Sequence, residues 1–228
     1  MGHNEKTKTL ETHKRLVQTY GERDLKPRRE PMRELISTML SHRTNHADEE
    51  LAYAQMLERF PTWEAVRDAP TDELTEAISP SRYPGSKAPN IQKTLTRIIE
   101  ERGETNIDFL QNLPADKGLK WLTALPGVGV KTASLVLLFC FSKPVLPVDT
   151  HVHRISGRVG LIGPKVSAEK AHKLLLEQLP QNPETLYTFH INMLRHGQRI
   201  CTWNNPKCTN CPLTNICNWN QTNETVPF

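Results

Sequence analysis

The sequence predicts an all-α protein. Three observations carry that expectation. Apolar residues recur at helical spacing in one segment after another, prolines stand at the segment ends, and no alternating run is convincing enough for a strand. There is no internal repeat at a solenoid period. A length of 228 residues fits one large domain or two small ones, enough to bury a real core.

The elements follow in order. Leu35, Ile36, Met39 and Leu40 share a helical face after Pro31, a favourable first-turn residue. Asp48 to Phe60 reads as a helix stopped by Pro61, and Asp72 to Ile78 as a short one broken by Pro80. Ala88 to Arg102 carries Ile91, Leu95, Ile98 and Ile99. Ala115 to Leu125 runs up to an LPGVG turn, and Val130 to Phe141 is apolar nearly all round, so it is expected to be the most buried helix. His151 to Val159 begins a second set. Ser167 caps a helix through Leu179 before Pro180, and Glu184 to Gln198 shows Leu186, Phe189, Met193 and Leu194 on one side. Lys143 to Pro147 is the break between two helical lobes.

Composition excludes several classes. Lys plus Arg number 29 against 25 Asp plus Glu, a net charge of +4 that permits a nucleic-acid partner without demonstrating one. The longest nearly apolar run, Ala133 to Phe141, is too short for a bilayer, which needs ~20 apolar residues. The polar N-terminus has no signal-peptide core, so a soluble intracellular protein is expected.

Three motifs carry chemistry. In Leu125-Pro-Gly-Val-Gly-Val-Lys-Thr-Ala133, Gly127 and Gly129 allow positive φ and keep side chains away. The N–H groups of the turn and of Val130 in the next first turn are then free to face a phosphate. An ordinary helix–helix turn with a glycine cap is the plainer alternative. Lys131 opens the following helix, where the helix dipole and apolar neighbours disfavour its charge, and a neutral lysine can form a Schiff base. Asp149, in Pro147-Val-Asp-Thr-His151, stands at a helix start. It reads as an N-cap, and also as a carboxylate directed across a cleft at Lys131. The third motif is Cys201-x6-Cys208-x2-Cys211-x5-Cys217. Clustered cysteines in a non-secreted chain point to metal. Four thiolates suit zinc or an iron–sulfur cube, and the long outer spacings favour the larger object. Cys140, in the apolar run, reads as core.

Together these motifs resemble the endonuclease III family, the iron–sulfur branch of the helix-hairpin-helix DNA glycosylases. The likeness runs from about Leu35 to Cys217. It implies a six-helix barrel lobe over residues 25–143, a cluster lobe from 1–24 with 144–228, and a DNA-binding cleft between them. It implies a bifunctional DNA glycosylase and AP lyase acting on duplex DNA with oxidised pyrimidines or abasic sites, as a monomer. Lys131 would be the nucleophile, Asp149 its catalytic aspartate, and the four cysteines ligands of a 4Fe–4S cluster, with Lys207 in the cluster loop touching DNA. Two loops depart from the family. Leu40-Ser-His-Arg-Thr-Asn-His46 puts Arg43 where a gap-filling Gln is usual, and Tyr83 in Arg82-Tyr83-Pro84 takes the place of the apolar wedge. Rival expectations are a glycosylase without lyase activity, which Lys131 argues against, and a non-catalytic DNA-binding module, which the pair Lys131 and Asp149 argues against.

Overall fold

The structure, a computed structural model, describes residues 3–26 and 30–222. Among these residues there are α-helices and short 3-10 turns but no strand, so the fold is all-α. The chain divides into two compact units, one contiguous, Pro27–Phe141, and one made of two segments, Met1–Lys26 and Ser142–Phe228.

Helix α1 (His3–Tyr20) opens the chain. The contiguous unit then holds α2 (Pro31–Ser41), α3 (His46–Arg59), α4 (Trp63–Asp68), α5 (Thr71–Ala77), α6 (Pro84–Arg102), α7 (Ala115–Thr123) and α8 (Val130–Phe141). Side-chain oxygens begin several of them. The Glu30 carboxylate accepts from the Met32 and Arg33 N–H groups, Asn45 from Asp48, and Thr62 from Ala65. Helix α8 packs against α2 and α7, and it is buried without a break from Thr132 to Leu138, as its all-round apolarity predicts. Leu35, Ile36, Leu40, Met56, Leu74, Ile91 and Leu95 complete this core with no measurable exposure. Burial of each such side chain stabilises by about 1.5–3 kcal/mol.

The two-segment unit joins α1 to α9 (Thr150–Val159), α10 (Ala168–Leu176), α11 (Pro183–Arg199) and α12 (Asn218–Thr222). Helix α11 packs on α1 and α9, and Leu16, Val152, Ile155, Leu175, Leu186, Phe189 and Met193 are fully buried.

Two helix boundaries lie three residues or more from expectation. Helix α6 starts at Pro84 rather than Ala88, because Pro84 occupies the first turn, where a missing N–H is harmless. Pro89 lies inside this helix, near its N-terminal end. Helix α10 ends at Leu176, short of Leu179, where the Gln178 N–H tightens onto the Leu175 carbonyl and its side chain turns to the Leu161 carbonyl. Helix α1 was not expected. Its buried stripe is Thr9, Thr12 and Leu16, only one of them apolar. No helix among the described residues is long and apolar enough to cross a membrane.

Candidate active site and cysteine centre

The hairpin is built as its residues require. Helix α7 ends at Thr123, the Val128 N–H closes a turn onto the Leu125 carbonyl, and Gly129 accepts from the Ala133 N–H as α8 begins. Gly127 has φ 74°, and a Cβ there would sit 3.0 Å from the Cβ of Asn90. Both facts demand glycine. Thr94 Oγ1 donates to the Pro126 carbonyl at 2.7 Å and ties the turn to α6. Gly127 and Gly129 are exposed while Val128 points into the core. The turn therefore offers backbone to solvent, and α8 offers first-turn N–H groups at Val130 and Lys131.

Lys131 is half-buried and opens on a cleft of about 540 Å³ within the contiguous unit, lined also by His42, Arg43, Tyr83, Ser86, Lys87 and Asn90. Arg43 (φ 56°) and Tyr83 (φ 60°) both sit in the left-handed region, exposed at the cleft edge. That conformation costs a residue with a Cβ about 1–2 kcal/mol, so the surroundings must enforce it. Lys87 lies beneath them, 8% exposed. Its Nζ donates to the carbonyls of Leu40 (2.6 Å) and His42 (2.8 Å) and to Ser81 Oγ (2.7 Å) and Thr44 Oγ1 (3.1 Å). Those carbonyls end α2, where a cation is favoured. Burial nonetheless lowers the Lys87 ammonium to about 8. His42 reaches Thr132 Oγ1 through Nε2 at 3.0 Å, and burial, then Lys131 and Lys87, lower its imidazole to about 4. The cleft thus pairs a lysine with a neutral imidazole.

In the two-segment unit Asp149 is the N-cap of α9. Its Oδ1 accepts from the Val152 N–H at 2.8 Å, which fixes the carboxylate. The plainer of its two expected roles is therefore present in the geometry.

The four cysteines converge on one cavity, lined also by Arg158, Ile200, Pro206, Lys207, Thr214 and Trp219. Cys208 begins one 3-10 turn, and Cys211 and Cys217 directly follow the two turns. Donors surround the sulfurs. Arg158 Nη1 lies 3.4 Å from Cys201 Sγ, the Leu213 N–H 3.4 Å from Cys211 Sγ, and His196 Nε2 3.5 Å from the same sulfur. Burial pushes the Cys211 thiol up to about 11 and raises Cys217 as well. Thiolates here therefore need a cation to hold them. Arg154 and Arg158, one turn apart on α9 and both buried, close the wall. Arg154 donates to the Gly197 and Cys201 carbonyls, Arg158 to the Thr202 and Trp203 carbonyls, and Arg158 stacks 4.6 Å over Trp219. Lys207 is exposed, with its N–H bonded to the Ile200 carbonyl at 2.9 Å.

The structure thus gathers Lys131, Arg43, Tyr83 and the hairpin glycines in one unit, and Asp149, Lys207 and the cysteines in the other. Sequence reasoning assigned no role to His42, Lys87, Arg154, Arg158 or His196. A signal existed for Arg154 and Arg158, whose spacing of four places both on one helical face.

Comparison with known proteins bears directly on this arrangement. Residues 36–181 match the model of the HhH-GPD superfamily of base excision DNA repair proteins. Endonuclease III of Thermotoga maritima is 38% identical over 191 residues, 82% of this chain and 83% of that protein. Among solved structures, a non-covalent endonuclease III–DNA complex superposes with a TM-score of 0.80 at 27% identity, covering 96% of this chain and 97% of the other. A trapped endonuclease III–DNA covalent intermediate gives the same TM-score and identity over 96% of this chain and 98% of its own. With matches this long in both sequence and fold, the chain belongs to the HhH-GPD superfamily of base excision DNA repair proteins and, within it, to the endonuclease III family.

Proposed function

We propose that the protein is a base-excision-repair DNA glycosylase with AP lyase activity, in which Lys131 is the nucleophile. The observation that carries the reading is the position of Lys131, on the first turn of the hairpin helix and on the wall of a cleft. Its relatives include an endonuclease III that was trapped covalently on DNA. The hairpin N–H groups hold a backbone phosphate without reading sequence. The damaged nucleotide leaves the stack, since its glycosidic bond is inaccessible within it. The neutral Lys131 amine attacks the sugar C1′, and the base departs with the electron pair of the C1′–N bond. Loss of a nitrogen proton opens the sugar to a Schiff base. A C2′ proton then leaves to a base, the C3′–O bond breaks, and the 3′ phosphate departs by β-elimination. Asp149, held by its cap bond, assists the Lys131 deprotonation and stabilises positive charge on the sugar. Oxidised pyrimidines and abasic sites in duplex DNA are the substrate class, and the protein acts as an intracellular monomer.

Cys201, Cys208, Cys211 and Cys217 are the ligands of a 4Fe–4S cluster in this reading. The donor set fits: four sulfurs, no carboxylate among the lining residues, and N–H donors aimed at the thiolates. When bound, the cluster supplies a rigid anchor for the loop that carries Lys207.

Borohydride reduction on abasic duplex DNA tests the proposal. Wild type should give a covalent adduct, and Lys131→Gln none, while still binding the duplex. A persistent adduct in Lys131→Gln would move the nucleophile elsewhere. Absence of an adduct in wild type would leave a monofunctional enzyme or a binding module.

A further inference from the structure

Lys87 is a buried lysine in the same cleft as Lys131, and its surroundings suit a different task. An ammonium has three N–H donors. Lys87 shares them among four acceptors: the Leu40 and His42 carbonyls, Thr44 Oγ1 and Ser81 Oγ. These acceptors fall on two separate stretches of chain. One runs through residues 40–44 and carries Arg43. The other runs through 81–83 and carries Tyr83. The stretches are bonded to each other around the same nitrogen. Ser81 Oγ donates to the Leu40 carbonyl at 2.8 Å, and the Arg82 N–H donates to Thr44 Oγ1 at 3.0 Å. Arg43 is thus flanked on both sides by residues bonded to Lys87, and Tyr83 follows Arg82 directly. Both tips hold the left-handed backbone and both side chains are exposed. A lysine whose protons are all engaged with carbonyl and hydroxyl oxygens is a poor nucleophile. It is a good tie.

We propose that Lys87 is a positioning residue: a single buried ammonium that locks the Arg43 and Tyr83 loop tips to one another, so that both meet the opened duplex together. The inference rests on the proposed function, in which these tips enter the gap left by the flipped nucleotide. An apolar side chain could fill the volume of Lys87, but it could not join two loops through their oxygens. Thr44 and Ser81 are the hydroxyl partners, and each bridges the two stretches.

A double-mutant cycle tests this with the full-length protein. The variants are Lys87→Met, Arg43→Ala with Tyr83→Ala, and the three combined. The readouts are single-turnover cleavage of abasic duplex, fluorescence of 2-aminopurine placed opposite the abasic site, and melting temperature. Lys87→Met should still form the borohydride adduct at long times, since Lys131 is intact. Its cleavage rate should fall at least tenfold, and the 2-aminopurine signal of an opened stack should weaken. Without the two tips, the same substitution should change the rate less than twofold. Thr44→Val, which leaves the ammonium in place, should show a smaller loss in the same direction, and it serves if Lys87→Met folds poorly. An equal loss with and without the tips would overturn the proposal and make Lys87 a general stabiliser. Loss of the adduct in Lys87→Met, with retention in Lys131→Gln, would overturn it by making Lys87 the nucleophile. If removing the tips leaves rate and fluorescence unchanged, the gap-filling role itself fails. Absence of any adduct in wild type is the separate failure of the lyase reading.

Discussion

His42 Nε2 lies 3.0 Å from Thr132 Oγ1, the residue directly after Lys131. The bond ties the end of α2 to the first turn of α8, and it places an imidazole where burial and two lysines keep it neutral.

Acid should therefore destabilise this arrangement, since it places a buried positive charge beside two lysines. The imidazole has an ordinary value of 6.5 and is lowered to about 4 in the folded chain. Between those values the unfolded chain binds a proton that the folded chain refuses, so stability falls as pH drops from 6.5 towards 4 and is unaffected by this group above that window. Melting curves of wild type and His42→Gln at pH 7 and pH 4.5 check it. Wild type should lose more stability than the variant, and parallel losses would remove His42 as the cause.

Asp149→Asn separates chemistry from capping. Asn caps a helix about as well as Asp, so the melting temperature should stay close to wild type. The charge is gone, and the rate should fall ~10²-fold or more, the scale of a positioned acid–base or electrostatic group. Asp149→Ala should lose the same rate and also about 1 kcal/mol of stability. Near-normal turnover of Asp149→Asn would reduce the residue to its bond with Val152.

The cysteine centre is checked by metal analysis. The purified protein should be yellow-brown with about four irons, as the cluster type requires, and Cys211→Ser should lose most of them. A colourless protein with a single zinc would refute the assignment. Lys207→Ala should keep the iron, weaken every duplex alike, and shallow the salt dependence of binding by about one unit.

Arg43 and Tyr83 should govern lesion choice. An Arg guanidinium has donors only, and a Tyr ring stacks on bases for ~1–3 kcal/mol. Such a pair holds an open duplex firmly but fills a small gap less closely than Gln and an apolar side chain. Strong cleavage of abasic DNA and a narrower range of damaged bases should result. Single-turnover rates on abasic and thymine-glycol duplexes, in wild type and in Arg43→Gln with Tyr83→Leu, provide the comparison. Equal wild-type rates that the double variant leaves unchanged would show that the loops do not select the lesion.

The sequence made the apolar helices plain because their stripes are continuous. Helix α8 runs from Val130 to Phe141, as its composition predicts. Helix α1 escaped because Thr9 and Thr12 occupy buried positions and bury hydroxyls, not hydrocarbon. Helix α4 escaped because Val66 is its one buried residue. At the site, the motifs disclosed residues whose chemistry is written in their type: a lysine after two glycines, a carboxylate at a helix start, four thiols. They did not disclose Lys87 or Arg158. A buried cation gains its meaning from the carbonyls and sulfurs around it, and those partners come from distant segments: Leu40 is 47 residues from Lys87, and Cys201 is 43 from Arg158.

The two-segment unit also sets an order for biosynthesis. Thr9 on α1 bonds Gln178, 169 positions later, and Tyr20 reaches His196, whose other ring nitrogen faces Cys211. At ~5–20 residues per second, α1 waits roughly 10–30 s on the ribosome for these partners. Every residue of Pro27–Phe141 has been made before α9 begins. Nascent chains arrested before α11 should therefore protect that central stretch from protease while α1 is still cut. Once α11 and the cysteine loop have emerged, α1 joins partners made long after it, and the two-segment unit closes only then.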